Sequence, residues 1–189
     1  MTTARAGRPK ASSRETLAEA ACELFLEKGY EATSIAEIAA RAGVSRSSFF
    51  NYVDSKGALL WGGLDERLDA LERRLAAADG DGDGTAAVRE GIGELGQGFA
   101  PDALALAFAN AEAMEIEAEL ERETALRQAR VGRLAAARLR RGGVGPLEAE
   151  VRGAAFGGAV MASIRAWSAS GPGLRPLDEV LASALDLVP

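Results

Sequence analysis

The chain has 189 residues, of which 48% are hydrophobic, 26% charged and only 5% aromatic, and its net charge is −6. Those proportions describe a soluble globular protein with enough length for a core, organised as one compact unit or two small ones. A single cysteine, Cys22, excludes an internal disulfide. Without histidine, and with no nucleophile near a base or phosphate-cradling glycine loop beside a strand, enzyme chemistry has nothing to build on.

Sparse proline and the absence of alternating β-branched runs predict an all-α fold. No signal peptide is visible, and the longest uncharged apolar run, 153–164, is too short to span a bilayer. A cytoplasmic location is expected. The negative charge is unevenly placed. Residues 1–57 hold eight basic and seven acidic side chains, while residues 58–189 hold 14 and 21. Local charge matters more than the total for meeting a polyanion.

Residues 1–11 form a basic arm with Arg5, Arg8 and Lys10 and no apolar anchor. Such an arm either lies along phosphates or in a minor groove, or simply solubilises the chain. A first helix is expected from Ser12 or Ser13, capped by Ser12 with Glu15, with Leu17, Ala20, Ala21, Leu24 and Phe25 facing inward. Gly29 ends it, and Tyr30 packs under the following loop. Cys22 reads as a small buried or half-buried side chain in this helix.

The stretch 34–56 organises the rest. Ser34 and Glu37 form a capping box, and Ile35, Ile38, Ala39 and Ala42 recur at helical spacing. Gly43 supplies the left-handed conformation of a tight turn. Ser45 caps a second helix whose inward face is Phe49 and Val53. Ser47, Ser48 and Asn51 lie opposite that face, flanked by Phe50 and Tyr52, with Arg46 in the first turn. Small hydrogen-bonding side chains with a cation at the edge suit entry into a DNA major groove. Thr33 and Ser34 offer hydroxyls and backbone N–H groups at a helix N-terminus, a natural phosphate site. A long lever helix is then predicted from about Lys56 to Ala78.

The block 29–60, G-Y-E-A-T-S-I-A-E-I-A-A-R-A-G-V-S-R-S-S-F-F-N-Y-V-D-S-K-G-A-L-L, resembles the TetR family of bacterial transcriptional regulators. The resemblance implies a DNA-binding domain at 12–57 and a helical regulatory and dimerisation domain at 58–189. It implies phosphate contacts from Thr33, Tyr52 and Lys56, and base contacts from Arg46, Ser47 and Ser48. It also implies a homodimer and a small apolar effector. No cofactor or metal is expected. Phe50 departs from the family, which often has a phosphate-binding tyrosine there. Val53 departs too, where many members have phenylalanine.

Beyond this block, 79–90 matches a calcium-loop pattern through Asp79, Asp81, Asp83, Gly84 and Glu90. It is a two-residue repeat with no second loop to pair with, and it reads as a flexible acidic linker. A calcium-responsive interaction protein is the alternative. A helix over 85–99 turns Val88, Ile92, Leu95 and Phe99 inward, and its four glycines leave room for movement or a ligand. Six glutamates over 112–123 precede seven arginines over 122–141, read as the solvated face of one long helix with a Glu123–Arg127 ion pair. Two terminal helices follow, 147–170 and one from Leu177. Ala154, Gly158 and Ala162 stand four apart, so a neighbouring helix can come close. These two helices suit a dimer interface. Candidate pocket residues are Trp61, Leu64, Leu68, Ile92, Phe99, Phe108, Met114, Phe156 and Trp167, types shared by ligand pockets and cores.

Overall fold

The structure is a computed structural model that describes residues 10–77, 83–171 and 174–189, with side chains from residue 14 onward. Among the described residues every regular element is helical. The order is α1 (Lys10–Lys28), α2 (Ile35–Arg41), α3 (Arg46–Phe49), a 3-10 segment (Gly57–Trp61), α4 (Gly62–Ala77), α5 (Gly84–Gly96), α6 (Asp102–Ala109), α7 (Glu117–Arg141), α8 (Pro146–Ser170) and α9 (Leu177–Leu185).

The first three helices pack around Phe25, Ile38 and Phe49, each fully buried. Helix α1 starts at Lys10, inside the segment expected as an arm, so Ser12 lies within the helix rather than at its cap. The remainder of that arm, 1–9, lies outside the described residues. The capping box of α2 forms as the sequence predicts. Glu37 N–H donates to Ser34 Oγ at 3.3 Å and Ser34 N–H donates to Glu37 Oε2 at 2.9 Å. Gly43 takes φ +70° in the turn that follows. Ser45 caps α3 by accepting from Ser48 N–H at 3.0 Å.

The expected lever helix is divided. Gly57–Trp61 is a 3-10 turn and the α-helix begins only at Gly62. Arg14 explains the break. Its stem lies against Gly62, where a Cβ would collide with Arg14 Cδ, and its guanidinium reaches Glu66 and the Tyr52 and Gly62 carbonyls. The start of α4 is thereby fitted to α1.

Helices α7 and α8 form the most extensive pair in the body. Their close approach uses glycines one position away from the stripe expected to do so. A Cβ on Gly153 would stand 2.5 Å from the Gly132 carbonyl oxygen, and one on Gly157 would strike the Gln128 carbonyl. Ala154 and Ala162 instead face outward, with Gly158 half-buried beside them. Leu147 (79% exposed) and Val151 (60%) continue this outer stripe. On the inner side, Gly96 of α5 lets the backbone of Asp178 approach to 2.6 Å of where its Cβ would be. Arg89 then donates to the Leu185 and Val188 carbonyls, satisfying the C-terminal end of α9.

Two charge patterns differ from expectation. Helix α7 begins at Glu117, because Met114 and Ile116 turn inward (0% and 1% exposed) and anchor a run of turns before it. The Glu123–Arg127 pair forms, but it is buried rather than solvated. The Arg127 and Glu123 side chains are 9% and 8% exposed, and Arg127 also grips both oxygens of Asp65 on α4, at 2.9 and 2.5 Å. Its guanidinium lies 4.6 Å from the Trp61 ring centroid. In the calcium-pattern loop, Asp79 and Asp81 lie outside the described residues. Asp83 is the N-cap of α5, accepting from Thr85 and Ala86 N–H, and Glu90 pairs with Arg74 at 2.8 Å. The last carboxylate of the pattern is therefore committed to a cation on α4. No group of metal-binding side chains occurs among the described residues.

The Glu37 carboxyl is held at about 2, first by its hydrogen bond from Lys28 and then by those from Ser34. Since this lies below its usual 4.5, the capping box supports folding fully above pH 4.5 and loses that support as pH falls towards 2. A carboxyl-carbon NMR titration should place the Glu37 midpoint near 2, and Ser34→Ala should move it upward. Arg127→Ala leaves Asp65 without its cation and Glu123 with Arg122 alone, so denaturant unfolding should show a loss of about 3 kcal/mol.

Candidate nucleic-acid interface

Helix α3 contains a single regular turn. Beyond Phe49 the chain tightens, with Asn51 N–H donating to Ser48 O at 3.2 Å and Tyr52 N–H to Phe49 O at 2.9 Å. Phe49 is fully buried and fixes the orientation of this turn against α1 and α2. The opposite side carries Arg46, Ser47 and Asn51, all exposed, with Phe50 49% exposed beside them. Ser48 is half-buried, and its hydroxyl and that of Ser47 lie 2.7 and 2.9 Å from Ser45 Oγ. The face therefore presents a guanidinium, hydroxyls, a carboxamide and an aromatic ring within six residues.

The other described basic side chains of the first three helices are occupied. Lys28 pairs with Glu37, and Arg41 with Glu23 and Glu27. Arg14 is committed to Glu66 and Tyr52 O. Among the described side chains of residues 14–57, Arg46 is the cation left without a protein partner. An unpaired guanidinium projecting from a short, capped turn is free to meet an anion.

Three expected phosphate contacts are altered. Thr33 is 1% exposed, and its hydroxyl donates inward to Gly29 O at 2.8 Å and sits 3.3 Å from Leu24 O. It ties α1 to the start of α2, so it cannot reach a phosphate. The Ser34 N–H is taken by Glu37 and the Thr33 N–H by Tyr30 O at 3.2 Å, so the capping carboxylate already holds the place of an anion at α2. Lys56 Nζ donates to Tyr30 O at 2.6 Å and Thr33 O at 3.1 Å and lies 4.0 Å from the Tyr30 ring centroid. An ammonium has three protons, so one remains for an outside acceptor. Tyr52 is half-buried against the core.

The residue that the sequence reading undervalued is Tyr30. Its N–H donates to Met114 O at 2.8 Å and its hydroxyl to Glu119 Oε1 at 3.0 Å. Its ring meets Phe25 edge-on at 5.1 Å. Burial, and then the bond to Glu119, pushes the phenol above its usual range. These contacts span 84 to 89 residues of sequence, and no local pattern announces them. Tyr30 joins the helix-turn-helix unit to the long helices.

Most of the nine candidate pocket residues are packed core, and of the nine only Phe99 also borders the half-open groove beside α1. Trp61, Leu64, Leu68, Ile92, Met114, Phe156 and Trp167 are all at most 2% exposed and belong to one continuous core, with Phe99 and Phe108 packed at its edge. Leu64 and Phe99 border a void of only about 10 Å³. Side chains of the right type fill the space instead of lining it.

Residues 17–60 match the family described as "Bacterial regulatory proteins, tetR family". Over 75 residues the chain is 33% identical to the putative mycofactocin biosynthesis transcriptional regulator MftR of Mycobacterium tuberculosis, covering 40% of this chain and 38% of that protein. Over 64 residues it is 34% identical to the HTH-type transcriptional repressor DhaR of Mycobacterium sp. (strain GP1), covering 34% and 32%. The chain thus spans about a third of the length of these curated relatives. The solved structure of Thermus thermophilus FadR, a TetR family transcriptional repressor in complex with lauroyl-CoA, is similar over 93% of this chain and 92% of its own, with 29% identity and a TM-score of 0.54. FadR from Bacillus halodurans shares the fold at 16% identity, covering 92% and 96%, with a TM-score of 0.55. The capped helix-turn-helix thus lies in the segment that matches the tetR family, and the nine helices among the described residues follow an architecture similar to that of a solved TetR family repressor.

Proposed function

We propose that this protein is a sequence-specific DNA-binding transcriptional repressor, acting as a homodimer on a palindromic operator in the cytoplasm and responding to a small molecule. The observation that carries this reading is the free Arg46 guanidinium beside exposed Ser47, Phe50 and Asn51 on a turn anchored by buried Phe49. Arg46 supplies bidentate contact to a base or a phosphate, Ser47 and Asn51 supply donors and acceptors, and Phe50 supplies apolar contact to a thymine methyl or sugar. Ser48 contributes through its half-exposed edge. Tyr52 and the third Lys56 proton remain for the rim of the groove. Since Thr33 and the α2 N-terminus are occupied, Arg46 carries more of the affinity than the resemblance alone implies.

The dimer rests on the outer stripe of α8, where Leu147, Val151, Ala154 and Ala162 leave an apolar, low-relief ridge. Two such ridges packed about a twofold axis bury it. The recognition turns then meet half-sites one helical turn, or a multiple, apart. The Thermus relative's complex with lauroyl-CoA supports a small-molecule effector for this fold.

Screening genomic fragments for binding, followed by footprinting, should yield a palindromic site. On that site Arg46→Gln should reduce the dependence of log K on log salt by about 0.9 per subunit if the guanidinium meets phosphate, or relax preference at one base pair if it meets a base. An unchanged slope together with unchanged sequence preference removes Arg46 from the interface. Ala162→Arg places a charge on the outer ridge without touching the monomer's interior. Sedimentation should then show monomers, and operator affinity should fall steeply. A persisting dimer moves the interface elsewhere.

A further inference from the structure

Between α1, the 3-10 segment and α6 lies a half-open groove of about 650 Å³, distinct from the exposed face of α3 and from the closed core. Its volume falls within the range of small-molecule sites. The floor is apolar, formed by Ala18, Leu60, Phe99, Pro101 and Leu104. Leu26 and Leu106, which also line it, remain 43% and 41% exposed, so apolar surface within the groove is left uncovered.

The walls carry five carboxylates, Glu15, Glu19, Glu23, Glu66 and Asp102, against one guanidinium, Arg14. Arg14 is consumed by Glu66 and two carbonyls. Glu23 shares Arg41 with Glu27. Among the described residues, Glu15, Glu19 and Asp102 have no cationic partner. The local field is felt by Cys22, whose thiol sits in the wall 3.6 Å from Ala103 O. Burial first, and then the charges of Glu19 and Glu23, push that thiol up to about 12. An apolar floor beneath unpaired carboxylates selects against anions and does not satisfy a neutral apolar molecule fully.

We propose that this groove binds a lipophilic cation, a single positive centre carried on a bulky apolar body. The body covers Leu26, Leu106 and Phe99, and the charge settles among Glu15, Glu19 and Asp102. Both contributions are needed, since an exposed charge pair alone is worth little in water. The walls belong to α1 and α6, so an occupant bears on α1, whose Arg14 holds the Tyr52 carbonyl at the end of the recognition segment. This regulatory consequence rests on the DNA-binding reading, whereas occupancy itself does not.

Calorimetry on the full chain without DNA tests the site. Tetraphenylphosphonium and tetraphenylborate share size and shape and differ in sign of charge. The phosphonium should bind about tenfold or more tightly than the borate, a difference of about 1.4 kcal/mol. Tetramethylammonium, which has the charge without the body, should bind far more weakly than the phosphonium. Glu15→Gln/Glu19→Gln/Asp102→Asn should weaken phosphonium binding about tenfold while leaving the helical circular dichroism unchanged, and Glu19→Gln alone serves if the triple variant misfolds. Equal binding of the two ions, or unchanged phosphonium affinity in the carboxamide variants, overturns the proposal. Because no DNA is present, a chain that failed to bind any operator would still answer this question.

Discussion

The geometry of the presented face depends on one buried side chain, Tyr30. It receives Lys56 on its ring and carbonyl, offers its N–H to Met114 O, and reaches Glu119 on α7 with its hydroxyl. A tyrosine is suited to this because it combines a large apolar ring with one polar tip that must find a partner when buried. None of its contacts involves Arg46. The exposed face of α3 is therefore presented by a fastened unit, and the fastening consumes two of the three Lys56 ammonium protons.

A second pin lies deeper. Arg127 joins α7 to Asp65 on α4, with Trp61 beneath its plane. Together with Arg14 at the start of α4, and with Arg130 and Arg141 of α7 further along, it leaves α4 held by α1 at its start and by α7 along its length. Motion of either neighbour is transmitted through short, directional bonds rather than through loose apolar packing. Such discrete fastenings give a helix two well-defined positions more readily than a continuum of them.

Local pattern made much of this architecture legible. The Ser34/Glu37 box, the Ser45 cap, the burial of Phe49 and the limits of α8 and α9 depend on residues within a turn or two of one another. What escaped the sequence was set by distant partners. Thr33 reads as an exposed hydroxyl until Leu24 and Gly29 fold over it. The Glu123–Arg127 pair reads as surface until Asp65 arrives from 58 residues upstream of Glu123. Most of the pocket candidates are packed core for another reason: large apolar residues have the same appearance in sequence whether they enclose a space or fill it. The groove beside α1 was invisible because its carboxylates come from three separate elements and look, singly, like ordinary solvated charges.

Helix α8 carries two parallel seams of small residues, one turned inward through Gly153 and Gly157 and the other outward through Ala154 and Ala162. The inner seam admits no added atom, whereas the Ala154 and Ala162 side chains of the outer one are left exposed among the described residues. Mutational drift on the two is therefore decoupled. The outer seam is free to change its relief, charge or register while the monomer's fold stays fixed. A cell holding several proteins of this architecture can separate them into non-exchanging pairs by editing that ridge alone, without disturbing either the recognition turn or the core.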